Sequence, residues 1–186
     1  MTAIGPLIWN VAKTTLFLIV LWSIFLFALP MGIAIGEIEI GLQRFPPQPL
    51  LASALLLLTT LLTLWSAFTF ALSGFGTPLT IDPPREFVTS GPYAHVRHPF
   101  VIGVVGQIVA LAIALGSIPV IAYAAVILIV WYYGIRPREE RALLERFGDQ
   151  ARAYFQNVRS FRPRMTPYRA PGSTRGTRGT RGTRGT

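Results

Sequence analysis

The chain has no cysteine and only two histidines, His95 and His98. Disulfides, thiolate metal sites and cysteine nucleophiles are therefore excluded, and two imidazoles are too few for a histidine-built metal site. Charge is scarce too. Asp, Glu, Lys and Arg make up 13% of the 186 residues, against about 25% in an ordinary soluble domain. With 52% hydrophobic residues, the chain lacks the polar surface that water demands, so a bilayer is the expected solvent. The length allows one domain with a tail.

The net charge of +9 is confined to one end. Up to Ile135, Lys13, Arg44, Arg85 and Arg97 balance Glu37, Glu39, Asp82 and Glu86. From Arg136 onward, thirteen arginines face only Glu139, Glu140, Glu145 and Asp149. Arginine beside apolar segments marks cytoplasmic, lipid-facing sequence. No base-reading motif accompanies the charge, so no specific nucleic-acid partner is expected.

Apolar runs at about Thr14–Ile35 and Leu50–Leu72 are long enough to cross a bilayer as helices, which takes about 20 residues. Two more, Pro99–Leu115 and Ile118–Ile135, are separated only by Gly116 and Ser117. Pro119 sits where it can open a helix, so the pair reads as a tight hairpin. The first run has no small-residue cleavage site after it and reads as an uncleaved span. The expected fold is an all-α, polytopic membrane protein with about four transmembrane helices and a C-terminal amphipathic helix.

Placing the arginine-rich end in the cytoplasm fixes the remaining sidedness. The N-terminus and the Ser73–His98 loop share the cytoplasmic side, and Gly36–Pro49 faces outward. Trp131, Tyr132 and Tyr133 fall at the inner end of the fourth span, where an aromatic belt belongs. The expected location is thus a membrane, crossed several times, with a cytoplasmic C-terminus; for a bacterial source this is the inner membrane. The sequence leaves oligomeric state open. Thr174–Thr186 repeats Thr-Arg-Gly without an apolar residue and is expected to be disordered. A solvated tail and a headgroup-binding tail both fit it.

Two polar elements lie on the cytoplasmic side. The first is rich in glycine and proline: Gly74–Pro78, Asp82–Arg85 and Gly91-Pro-Tyr-Ala-His-Val-Arg-His-Pro99. Its backbone is shaped rather than merely flexible. It ends with Arg97 and His98 just before a proline that can start a helix. A cation and an imidazole beside unpaired helical N–H groups make a seat for a carboxylate, although membrane-edge residues that snorkel would look the same. The second element begins at Pro137. Leu143, Leu144, Phe147, Ala151, Tyr154, Phe155 and Val158 recur at helical spacing. At 100° per residue, Glu140 falls near the centre of this stripe with Arg136 close by, whereas Glu139 falls outside it. A carboxylate on a buried face needs a partner. Glu140 is therefore either paired with Arg136 to anchor the helix or aimed at a ligand.

In the third apolar run, Gly103, Gln107, Ala110 and Ala114 share one face. Small residues there usually permit close helix packing. Gly103 lies about one turn below His98, where a ligand could approach the backbone. Gln107 is polar within the membrane and so is a pocket candidate.

Taken together, Gly76-Thr-Pro, Asp82-Pro-Pro-Arg85, Gly91-Pro-Tyr93, Val96-Arg-His-Pro99 with Gly103, Glu139-Glu140, Arg146-Phe-Gly148, Tyr154 and Pro163-Arg164 resemble one superfamily. It is the isoprenylcysteine carboxyl methyltransferase and phospholipid methyltransferase superfamily of integral membrane enzymes. The likeness spans roughly Gly74–Arg164. It implies S-adenosylmethionine (SAM) as methyl donor and a lipophilic acceptor, either a membrane lipid or a lipidated small molecule with an amine or a carboxylate. By resemblance, Arg97, His98 and Gly103 belong to the cofactor motif, and Glu140 with Glu139 contacts the cofactor's polar groups. The family pattern usually has tyrosine two residues after the proline, where this chain has Val101.

The candidate catalytic residues are Glu140 and Arg136. The candidate cofactor-binding residues are Tyr93, Arg97, His98, Pro99, Gly103, Gln107, Glu139 and Glu140. Glu140→Gln is expected to weaken cofactor binding more than Glu139→Gln. The expected organisation is two N-terminal spans over 1–72, a methyltransferase-like core over 73–164 and a tail over 165–186. Two other readings compete: an NADPH-dependent enzyme like the sterol reductases, and a non-catalytic membrane protein that keeps the fold.

Overall fold

The computed structural model describes residues 4–73 and 86–170. The Gly74–Pro78 and Asp82–Arg85 motifs and the Thr-Arg-Gly repeat lie outside the described residues. Within them the chain is helical: α1 (Ile4–Leu21), α2 (Leu29–Glu39), α3 (Pro49–Ser73), α4 (Pro99–Leu115), α5 (Ile118–Val130) and α6 (Arg136–Asn157). Three helical rods are long and apolar enough to cross a membrane, and α4 is a shorter apolar helix. Leu, Ile, Val and Phe side chains cover their outer surfaces; Leu50, Leu58, Trp65 and Ile129 are among the many exposed ones. Such a surface suits hydrocarbon rather than water.

Two π-helical stretches interrupt the regular α-helical ladder without breaking the rods. A π-helical stretch, Trp22–Ala28, joins α1 to α2, and a second, Trp131–Ile135, joins α5 to α6. Pro137 therefore does not break the rod that follows the fourth apolar run. The Arg136 N–H donates to the Trp131 carbonyl five residues back, so the ladder passes the junction with a one-residue offset. Pro137, near the start of α6, then costs little. A break does occur at Gly148, with φ 51° and ψ −121°. The residues beyond it form a separate helical piece.

The most extensive helix contact is between α3 and α4, and small residues make it possible. A Cβ on Gly103 would collide with the Thr63 hydroxyl, and one on Gly106 with the Thr59 side chain. The hydroxyls that line this contact do not stay bare. Thr59, Thr63 and Ser66 donate to carbonyls four residues back at 2.7, 2.8 and 2.6 Å. Gln107 donates to Thr60 Oγ1 at 2.9 Å and accepts from Trp22 Nε1 at 3.3 Å. Its amide joins three helices at mid-height. Ala34, Ile108, Ala112, Val120 and Ala124 form the apolar core beside it.

At one end of the bundle, the loop after α2 packs on the α4–α5 turn. Phe45 N donates to the Gly116 carbonyl at 3.0 Å and Gln48 N to that of Ile113 at 3.2 Å. Glu37, fully buried there, is paired with Arg44 at 3.3 Å. Gly116 has φ 67°, and a Cβ on it would run into the Phe45 carbonyl oxygen. Gly41 has φ 68° but open space around it. Gly116→Ala should therefore destabilise by about 2 kcal/mol or more, and Gly41→Ala by less. Thermal unfolding in detergent compares them, and equal losses would show that the Phe45 contact carries no weight.

At the opposite end lie Gly91–His98, α6 and the segment after it. Packing continues here past residue 164. Tyr168 is buried against Tyr154 and Val158, and its N–H donates to the Ala94 carbonyl at 2.8 Å. The aromatic ring supplies the apolar contact that holds this segment against the end of α6.

Candidate functional site

The site is built on this second end. Gly91, with φ 57°, lies so close to Thr69 and Trp65 of α3 that no side chain fits. This turn lays Tyr93 against Phe70, ring centroids 5.8 Å apart. The Tyr154 hydroxyl donates to the Tyr93 carbonyl at 2.6 Å, which pins the second piece of α6 to the turn. The strand of chain after α6 then lies along residues 94–98. Arg97 N donates to the Arg159 carbonyl at 2.9 Å, and Arg164 N to that of His95 at 2.9 Å. His95 Nδ1 also meets the Arg164 carbonyl at 2.9 Å.

Arg97 is the centre of this wrapping. Its Nη1 donates to Glu140 Oε1 at 2.6 Å. Its Nη2 donates to the carbonyls of Phe155 and Val158 at 2.7 and 2.8 Å, and its Nε to Val158 at 3.1 Å. The guanidinium also lies 4.4 Å from the centroid of the Phe155 ring. One side chain thus ties the start of α6 to its end. His98 Nε2 lies 3.3 Å from the same Glu140 oxygen, and Arg136 Nε donates to it at 3.0 Å. The seat for a carboxylate anticipated at Arg97 and His98 exists, and the carboxylate in it is Glu140.

Electrostatics follow from this packing. Burial alone would raise the Glu140 carboxyl, but hydrogen bonds from His98, Arg136 and Arg97 outweigh it and hold the group down at about 2. Burial lowers His98 below its ordinary value, and the Glu140 contact opposes it. Glu139 behaves in the opposite way. Burial, then the neighbouring Glu140 charge, push it up to about 7. Among the described residues, no cation pairs with it. Burial raises Tyr93 well above the ordinary phenol range, so it stays a neutral hydroxyl.

Between these parts lies a cavity of about 590 Å³, well within the range of about 300–1,000 Å³ for small-molecule sites. Its polar mouth carries Tyr93, Arg97, His98, Glu139 and Arg146, with Phe87, Trp131 and Tyr154 as aromatic walls. Its apolar part reaches Ile108 and Ile127 and extends to Phe25, which is itself partly exposed on the bundle surface. Both π-helical stretches face it, through Phe25 on one side and Trp131 and Ile135 on the other; π-turns often mark functional positions. Val101 lines it as well, so the wall is aliphatic at the position where the resemblance leads one to expect tyrosine.

The sequence-derived residues divide accordingly. Tyr93, Arg97, His98 and Glu139 line the cavity. Glu140 and Arg136 stand beside it, joined to each other and to Arg97. Pro99 is buried at the start of α4, Gly103 faces α3, and Gln107 is committed to Thr60 and Trp22. Arg146, Phe87 and Trp131 were not singled out as site residues by sequence reasoning. The α6 spacing could have found Arg146: Glu139, Ala142, Leu143 and Arg146 lie on one face of that helix. Among the described residues no cluster of His, Asp or Glu could hold a metal ion.

Comparison with protein-family models matches residues 48–150, more than half the chain, to phospholipid methyltransferase. The match runs from the start of α3 past Gly148 of α6, and so takes in the cavity mouth. Comparisons with curated proteins and with solved structures gave no match.

Proposed function

The chain belongs to the phospholipid methyltransferase family, and we propose that it is a SAM-dependent methyltransferase acting on a lipophilic acceptor within the membrane. The observation that carries this reading is the Glu139 carboxyl, partly buried at the mouth of the cavity and without a cationic partner among the described residues. Burying such a group is costly unless a ligand supplies the missing positive charge. The ammonium of SAM would supply it, and the aromatic walls suit a sulfonium cation. The cofactor's carboxylate needs a cation in turn. Arg97 spends most of its donors on Glu140 and on backbone carbonyls. Arg146, at the same mouth and in no ion pair among the described residues, is the better partner.

When bound, SAM would supply an electrophilic methyl group, and the protein's part is chiefly orientation and exclusion of water. Trp131, Phe87 and Tyr154 form the walls that exclude it. Tyr93 offers a neutral hydroxyl for hydrogen bonding. The apolar lining at Phe25, Ile108 and Ile127 suits the hydrocarbon part of an acceptor that arrives from the bilayer. The Glu140 cluster serves to hold the α6 face that carries Glu139 and Arg146. In this reading the cytoplasmic side is the end with the cavity mouth, because it carries the arginines.

Two measurements test the proposal. Calorimetry on purified protein in detergent should detect binding of SAM or of its demethylated product; binding of NADPH in their place would overturn it. Radiolabelled methyl transfer into a whole lipid and membrane-protein extract should label a lipophilic acceptor. Absence of label in every fraction would favour a non-catalytic member of the family.

A further inference from the structure

After α6 the chain carries arginines at 159, 162, 164 and 169, and the cavity uses none of them. This segment is held at a defined height. The N–H groups of Arg97 and His98, two residues and one residue before α4 begins, donate to the carbonyls of Arg159 and Ser160. Phe161 packs on Trp131 and Tyr132, with ring centroids 5.7 and 6.1 Å away. Those rings stand just past the end of the apolar α5, and Trp and Tyr favour the depth at which a helix leaves the hydrocarbon.

Inward-facing Phe161 leaves its neighbours turned outward. Arg159 and Arg162 are exposed, and no acid among the described residues pairs with either. Met165 is 95% exposed, and Tyr133 on the adjoining π-turn 75%. Exposed Met165 follows Arg164 directly and adds an apolar side chain to this basic stretch. At a bilayer surface the same set is complementary: guanidinium groups reach phosphates while thioether and phenol enter the headgroup layer.

We propose that residues 159–165, with Tyr133, form a docking surface for anionic phospholipid headgroups of the adjoining leaflet. The surface is independent of the cavity and does not require catalysis. Phe161 sets its height, Arg159 and Arg162 select negative charge, and Met165 with Tyr133 provides the apolar contact. The Thr-Arg-Gly repeat beyond it carries further arginines, so the test must separate the two.

The experiment uses the full chain, purified with an equal mixture of phosphatidylglycerol and phosphatidylcholine, with retained lipid counted by native mass spectrometry. Wild type should retain phosphatidylglycerol in preference. Arg159→Gln with Arg162→Gln should lower that preference by at least about fivefold, the effect of roughly one arginine at a charged surface, with phosphatidylcholine retention unchanged. Glutamine at Arg175, Arg178, Arg181 and Arg184 should leave most of the preference intact. The proposal is overturned if the double variant keeps its preference, if it loses both lipids together, or if only the repeat variant loses the preference.

Discussion

Glu139→Gln should abolish most SAM binding while leaving the melting temperature of the free protein at or slightly above that of wild type. The side chain lines the cavity and has no cationic partner among the described residues, so the amide removes a charge without breaking an ion pair. Its titration supplies a second readout. A carboxyl whose folded value is raised from 4.5 to about 7 binds more protons in the folded state than in the unfolded one between those values. Stability of the free protein therefore falls as pH rises from about 4.5 to 7 and is level above that. Affinity for a cationic ligand runs the other way, because only the ionised carboxylate attracts it. Between pH 6 and pH 8 the dissociation constant should tighten by about tenfold, one unit of pH below the raised value. In Glu139→Gln this pH dependence should vanish. A pH-independent affinity in wild type would remove Glu139 from the binding site. This reverses the ranking that helical phase alone suggests, in which Glu140→Gln is the more damaging change.

The second large effect is structural. Arg97→Ala should destabilise the protein by about 4 kcal/mol, the scale for breaking one side of a buried ion pair with its hydrogen bonds. Arg97 is 12% exposed and Glu140 17%, so solvent screens their contact little. Arg97→Lys should recover little of the loss. One ammonium cannot reach Glu140 and the Phe155 and Val158 carbonyls at once, as the planar guanidinium does. The readouts are the melting temperature and protease cleavage within residues 149–170, which should rise as the wrapping segment comes loose. A lysine variant that keeps its stability but loses SAM would show instead that Arg97 is a ligand contact. Glu140 adds an acid-side signature. Its folded value, about 2 against an ordinary 4.5, means a stabilising contribution present above about pH 4.5 and lost as pH falls toward 2. Glu140→Gln should flatten that limb of the stability profile.

Glu140 also shows how far a periodic pattern can be read. Its position at the centre of the α6 stripe is real, and Arg136, Arg97 and His98 hold it there. A hydrophobic stripe marks where a helix touches protein, so a polar residue at its centre is spent on that contact. A ligand occupies space that the protein leaves empty, and such space adjoins the edge of a stripe. Glu139 and Arg146 stand at that edge. For the same reason Gly103 and Gln107, chosen for being small or polar inside the membrane, turn toward α3 and the first rod.

The sequence by itself determined the solvent, the helical class, the four apolar segments and the hairpin at Gly116. Hydrophobicity, helical period and the glycine and proline positions are local properties of the chain, and the bilayer reads them locally. The motif at Gly91–Pro99 and the Glu139-Glu140 pair were legible in the same way. Only the tertiary structure decided which of two adjacent carboxylates faces the cavity, that Arg97 clamps α6 at both ends, and that the wrapping continues to Tyr168. Those outcomes depend on where a neighbouring element comes to lie, and a one-residue step, 100° around a helix, is enough to exchange a structural ion pair for a place on the cavity wall.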